Sequence, residues 1–78
     1  MWKGKIRFDE KHKDSVERIA GEITQKDPTF IWKTDKNVLI LEGGSRNLIY
    51  RRVIWMINKV DYLKGCRFVV EKNAECEA

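Results

Sequence analysis

The chain has 78 residues, and its 16 Lys and Arg against 12 Asp and Glu leave a formal net charge of +4. A domain of this size buries only about 60% of the surface its unfolded form exposes, so it has a thin core, no room for a large enclosed active site, and a frequent need for association. The longest unbroken apolar run, Val53 to Ile57, excludes a membrane span, which needs about 20 such residues, and no apolar run of signal-peptide length opens the chain.

Residues 2–8 alternate strictly, with Trp2, Gly4, Ile6 and Phe8 on one side and Lys3, Lys5 and Arg7 on the other. That pattern predicts a strand with one buried and one basic face. From Asp9 to Lys26, Val16, Ile19, Ala20 and Ile23 recur at helical spacing, which predicts an amphipathic helix capped by Asp9 or Asp14 and stopped by Asp27-Pro28. Thr29 to Thr34 and Val38 to Glu42 are rich in β-branched, aromatic and aliphatic residues and flank Asp35-Lys36-Asn37, so residues 29–42 predict a hairpin. Val38 and Ile40 point one way and Leu39 and Leu41 the other, so both faces of the second hairpin strand are apolar. One sheet face is expected to pack on helices, which leaves Leu39, Leu41 and Ile31 for an open face that a partner covers.

Ser45 to Lys64 contains neither Gly nor Pro and is followed by Gly65. It predicts a single helix about 30 Å long, with Ser45 as its N-cap and Gly65 as its left-handed terminator. Ile49, Val53, Met56, Val60 and Leu63 form a core stripe, widened by Ile57. A second row, Leu48, Arg52, Trp55, Lys59 and Tyr62, carries aromatic rings between basic residues, with Tyr50 and Ile54 at its margins. Trp, Tyr and Arg dominate binding hot spots, so Tyr50, Ile54, Trp55 and Tyr62, with Leu39 and Leu41, are the expected protein interface. Cys66 to Glu71 predicts a last strand, and residues 73–78 an acidic, frayed tail.

The expected order is β-α-β-β-α-β in a single α+β domain over residues 1–72. Such an order most often builds a ferredoxin-like plait, a four-stranded antiparallel sheet with two helices on one face.

Positive charge collects late in the chain. Arg46, Arg51, Arg52, Lys59, Lys64, Arg67 and Lys72 face only Asp61 and Glu71 between Ser45 and Lys72. Lys3, Lys5, Arg7, Arg46, Arg51, Arg52 and Arg67 are the candidate contacts to RNA or DNA, and they would act through phosphates in a salt-sensitive way. The aromatic base-stacking pattern of RNA-recognition motifs is missing from Val38 to Glu42, as is the Gly-x-x-Gly loop of KH modules. Gly43-Gly44-Ser45-Arg46 at a strand-to-helix junction reads as a tight turn and N-cap, and lacks the spacing of a phosphate loop.

Little else points to chemistry. His12, the only histidine, lies among Lys11, Lys13 and Asp14, with no partner of the kind a catalytic base needs. Ser15 and Ser45 have no paired histidine. The carboxylates of Asp9 to Glu22 are interleaved with lysines, as on a solvated face. Cys66 and Cys76 make neither a disulfide framework nor a zinc site and suit a reducing, cytoplasmic compartment. No catalytic residue, metal or cofactor is expected.

Lys3 to Phe8, Ser15 to Ile23, the hairpin around Lys36-Asn37-Val38 and Tyr50-Arg51-Arg52-Val53-Ile54-Trp55-Met56-Ile57 together resemble the small dimerising subunit of the KEOPS tRNA-modification complex. That family has a strand, a helix, a β-hairpin and a long helix that forms dimer and subunit interfaces. The resemblance is architectural and covers residues 3–63; this chain adds a strand and enters its long helix by a shorter loop. It implies a non-enzymatic accessory subunit that self-associates and docks other macromolecules in a tRNA-modification assembly. The alternative is a basic nucleic-acid-binding module. A homodimer or a small-subunit partner is expected, and a membrane is not.

Overall fold

The computed structural model describes residues 1–72, so the expected acidic tail, Cys76 included, lies outside the described residues. The elements are β1 (Trp2–Arg7), α1 (Lys13–Lys26), β2 (Ile31–Asp35), β3 (Val38–Gly43), α2 (Arg46–Lys59) and β4 (Phe68–Lys72). The four strands form one sheet in the order β2-β3-β1-β4, and every neighbouring pair is antiparallel.

The core lies between the sheet and both helices. Val16 and Ala20 of α1 and Ile49, Val53 and Met56 of α2 pack in one cluster with Ile6, Phe8, Leu39 and Leu41. Both helices therefore cover the same sheet face. α2 lies directly on β1 at Gly4, where an added Cβ would stand 2.6 Å from Cγ2 of Val53 and 2.7 Å from Cγ2 of Ile49. Only a residue without a side chain admits the helix this closely.

The structure corrects the placement of Leu39 and Leu41. They are 0% and 1% exposed and belong to the core, not to an open interface. The sequence of β3 is apolar on both faces, so its alternation alone does not choose between them. The register chooses: Leu39 pairs with Ile6 and Leu41 with Gly4, and directly opposed residues share a face. Val38, Ile40 and Glu42 take the open face instead, with Ile31 of β2 as expected, since Ile31 pairs with Glu42.

The long helix is also shorter than its sequence suggests. α2 ends at Lys59, Val60 is extended (φ −102°, ψ 111°), and a separate 3-10 turn spans Asp61–Leu63. Asn58, Val60 and Asp61 are weak helix formers. Geometry adds a second reason, because a straight helix of 20 residues would be about 30 Å long over strands of only about 17–20 Å. The break folds the last turn back, so that Val60 (4%) and Leu63 (0%) are both buried. Gly65, with φ +76°, follows this turn rather than the α-helix.

Smaller departures have local causes. A 3-10 turn over Glu10–His12 precedes α1, and the Asp9 carboxylate accepts from the Lys11 amide at 3.2 Å. Asp27 closes α1, its amide donating to the Ile23 carbonyl at 2.8 Å. β2 starts at Ile31 rather than Thr29, because the Thr29 amide and hydroxyl both turn back to the Asp27 carboxylate. The hairpin closes between Asp35 and Val38, with Lys36 at φ +56°.

Candidate interaction surfaces

The sheet face away from the helices carries Lys3, Lys5 and Arg7 from β1, Lys33 from β2 and Arg67 just before β4. Strand alternation and register place them together. Ile40, at the centre, is flanked in register by Lys5 and Lys33 and is 8% exposed. The Lys5 ammonium meets Glu71 at 2.7 Å and Lys33 meets Glu42 at 3.6 Å. The hydrogen bond and charge of Lys5, aided by Lys3, hold the Glu71 carboxyl below the usual carboxylate range. Arg7 and Arg67 have no such acidic partner among the described residues. They flank a shallow hollow of about 220 Å³ floored by Val38 and Val69. Val69 and Ile31 stand uncovered on this face.

The basic residues expected to act together fall into three groups. Lys3, Lys5, Arg7 and Arg67 share the open sheet face. Arg46 and Arg51 lie exposed on α2, across the sheet from them. Arg52 is engaged within the fold. Its guanidinium donates to the Thr29 carbonyl at 3.0 Å, to the Thr29 hydroxyl at 2.9 Å and to Asp27 at 3.4 Å, and it lies 5.4 Å from the centre of the Phe30 ring. Two hydrogen bonds from Thr29, with a smaller effect of Arg52, lower the Asp27 pKa from its ordinary value. Arg52 thus ties α2 to the loop between α1 and β2.

The aromatic row expected along the long helix also divides. Tyr62 leaves it, because the helix ends three residues earlier; its ring stacks on His12 at 4.6 Å. Tyr50 and Trp55 remain on α2 and are exposed, but five residues at about 100° each set them about 140° apart around the axis. Tyr50, with half-buried Ile54 near it, lies on the β4 side and meets Phe68 edge-on at 6.1 Å. Trp55 lies toward α1, beside a groove lined by Ile19 and Ile23. The expected single interface is therefore two apolar patches on opposite flanks of one helix.

The sequence pattern does not single out Lys33, Phe68 or Val69 as surface residues. The alternation of Ile31-Trp32-Lys33 contained the signal for Lys33, once β2 was known to pair with β3. Phe68 and Val69 looked like ordinary strand residues, and only the position of β4 at the sheet edge exposes them.

The Gly43-Gly44-Ser45 junction works as a turn and cap. The Ser45 hydroxyl accepts from the Leu48 amide at 3.3 Å, and Gly43 packs under Ile49. Burial, with the nearby Asp9 charge, pushes the Cys66 thiol up, away from the thiolate that reactivity needs. Among the described residues, no group of His, Cys, Asp or Glu is placed to hold a metal ion, and no helix is long and apolar enough to cross a membrane. Comparison with protein-family models, curated proteins and solved structures finds no match to this chain.

Proposed function

We propose that this chain is a non-enzymatic binding subunit, built as a ferredoxin-like plait, that self-associates and docks a further macromolecule. The sheet order β2-β3-β1-β4, with β1 and β3 central and both helices on one face, supports the plait. The observation that carries the function is the exposure of large apolar and aromatic side chains on a domain this small. Tyr50, Trp55, Phe68, Val69 and Ile31 are all exposed, Tyr50 with Phe68 on one flank of α2, Trp55 on the other, and Val69 and Ile31 at opposite edges of the open sheet face. Contiguous exposed apolar surface marks interaction sites, and the Tyr50–Phe68 pair and the Trp55 groove with Ile19 and Ile23 are where such surface gathers. The architectural resemblance of residues 3–63 to the KEOPS small subunit points the same way and makes a tRNA-modification assembly the first place to look for the partner.

A Tyr50→Glu, Trp55→Glu variant tests this function. It is expected to keep the native circular dichroism spectrum and to lose association, with Tyr50 acting in one patch and Trp55 in the other. A folded variant that associates as the native chain does removes the main support.

A second function has its own observation: Lys3, Lys5, Arg7, Lys33 and Arg67 share one face. A nucleic-acid module of this kind binds phosphates, and its affinity falls with salt by a slope of about −0.7 to −0.9 per phosphate contacted. Arg7→Ala and Arg67→Ala are each expected to reduce that slope by about one contact. Absence of a mobility shift with RNA and DNA at low salt eliminates this function.

A further inference from the structure

β4 forms one edge of the sheet, and no strand pairs with its outer side among the described residues. The Arg7 amide donates to the Arg67 carbonyl at 3.0 Å. Backbone direction alternates along a strand, so Arg67, Val69 and Glu71 address β1, while Phe68, Val70 and Lys72 direct their N–H and C=O groups outward. An unpaired edge is a template for another strand, and natural edges are blunted by short length, charged side chains, prolines or bulges. β4 is short and carries Glu71 and Lys72, but it has neither proline nor bulge, and its register with β1 runs unbroken from Phe68 to Lys72.

We infer that β4 pairs antiparallel with β4 of a second copy, centred on Val69, so that the two sheets join into one. This rests on the self-association proposed above and names the surface that performs it. Two-fold symmetry requires a self-complementary patch, and the edge has one. Centring on Val69 sets Arg67 opposite Glu71 of the other copy, and Glu71 opposite its Arg67. These side chains share the open face with Val69, and Glu71, already bonded at one oxygen to Lys5 of its own chain at 2.7 Å, has its second oxygen for the facing Arg67, so two reciprocal ion pairs, each shared with a Lys5, flank a Val69–Val69 contact. In the same register Phe68 opposes Val70 of the other copy. Both direct their backbone groups outward, as hydrogen-bonded pairs of an antiparallel ladder must. A register centred on Phe68 or on Val70 sets Val69 opposite Arg67 or Glu71 and forfeits both ion pairs. On the helix side, the exposed Tyr50–Phe68 pair stands at this seam, which accounts for one of the two apolar flanks of α2.

Charge reversal tests the seam. Arg67→Glu or Glu71→Arg alone places like charges across it and is expected to weaken dimerisation about ten- to a hundredfold. The combined Arg67→Glu, Glu71→Arg chain restores the opposed charges and is expected to regain the native dissociation constant. A second measurement reads the geometry on an exposed residue whose change spares the core. Directly opposed residues that are not hydrogen-bonded have Cα atoms about 4.5 Å apart, within disulfide reach. Val69→Cys, in a Cys66→Ser, Cys76→Ser background, is therefore expected to give a covalent dimer under mild oxidation, and Ile31→Cys on the opposite edge strand is not. A native dimer that ignores both single reversals and is not linked through Val69→Cys overturns the β4 seam and leaves self-association standing. A native chain that stays monomeric overturns both.

Discussion

Two residues show how closely the sheet and helices depend on particular side chains. Gly4 is the point where α2 touches β1, and methyl groups of Val53 and Ile49 already fill the space a Cβ would take. Gly4→Ala is expected to cost about 1–3 kcal/mol, as overpacking does, measured by urea unfolding; an unchanged midpoint would mean that α2 shifts freely on the sheet. Arg52 holds the loop between α1 and β2 by three hydrogen bonds and its place over Phe30. Arg52→Ala is expected to lose about 1–3 kcal/mol, because charged hydrogen bonds go and the Thr29 carbonyl loses its donor. Arg52→Lys should recover little, since an ammonium cannot reproduce the planar fork, whereas Arg51→Ala on the exposed side should be nearly neutral. Equal effects at Arg51 and Arg52 would contradict the assignment of Arg52 as a tie within the fold. The sequence shows two adjacent arginines of the same apparent kind. Only the packing of α2 against the local turn at Asp27 and Thr29 separates them, and that is a tertiary contact.

At the scale of elements, legibility followed from how much of each pattern was one-sided. β1 alternates apolar and basic residues without exception, so its core and open faces could be read directly. α1 presented Val16, Ile19, Ala20 and Ile23 at helical spacing and ended at Asp27-Pro28, and the helix lies there. β3 was ambiguous because Val38-Leu39-Ile40-Leu41 is apolar on both faces. Its orientation depends on pairing with β1, which local pattern does not encode. The core stripe Ile49, Val53, Met56, Val60 and Leu63 keeps its spacing through the break, so local pattern alone carries α2 past its end at Lys59. The same buried positions are reached by a 14-residue helix followed by a 3-10 turn. The hairpin offers a check at this scale. Lys36 occupies a positive φ of 56°, a region that costs a side chain about 1–2 kcal/mol and that glycine enters freely. Lys36→Gly is expected to stabilise the domain by about 0.5–1 kcal/mol in thermal or urea unfolding, the glycine's greater unfolded-state entropy offsetting part of the relief. A destabilised variant would contradict a left-handed Lys36.

For the whole molecule, the candidate surfaces were legible as chemistry but not as arrangement. Aromatic residues on the long helix and basic residues on β1 stood out in the sequence. The fold then dispersed them: Tyr50 to the β4 side, Trp55 toward α1, Tyr62 onto His12, and the arginines onto opposite sides of the sheet. Their distribution follows from a 14-residue helix laid across a sheet whose outer strands are β2 and β4, a relation among distant segments. It leaves a domain with a basic open face, an edge strand, β4, with no strand on its outer side among the described residues, and a separate apolar groove beside Trp55. A dimer formed through the edge would keep the basic face continuous across two copies and leave the Trp55 groove open for another partner.

Self-association is the central proposal, and the solution mass of the native chain tests it most directly. Light scattering across micromolar concentrations is expected to report twice the 9.3 kDa of one chain, falling toward one copy only on dilution. A mass of one chain at every concentration would contradict it.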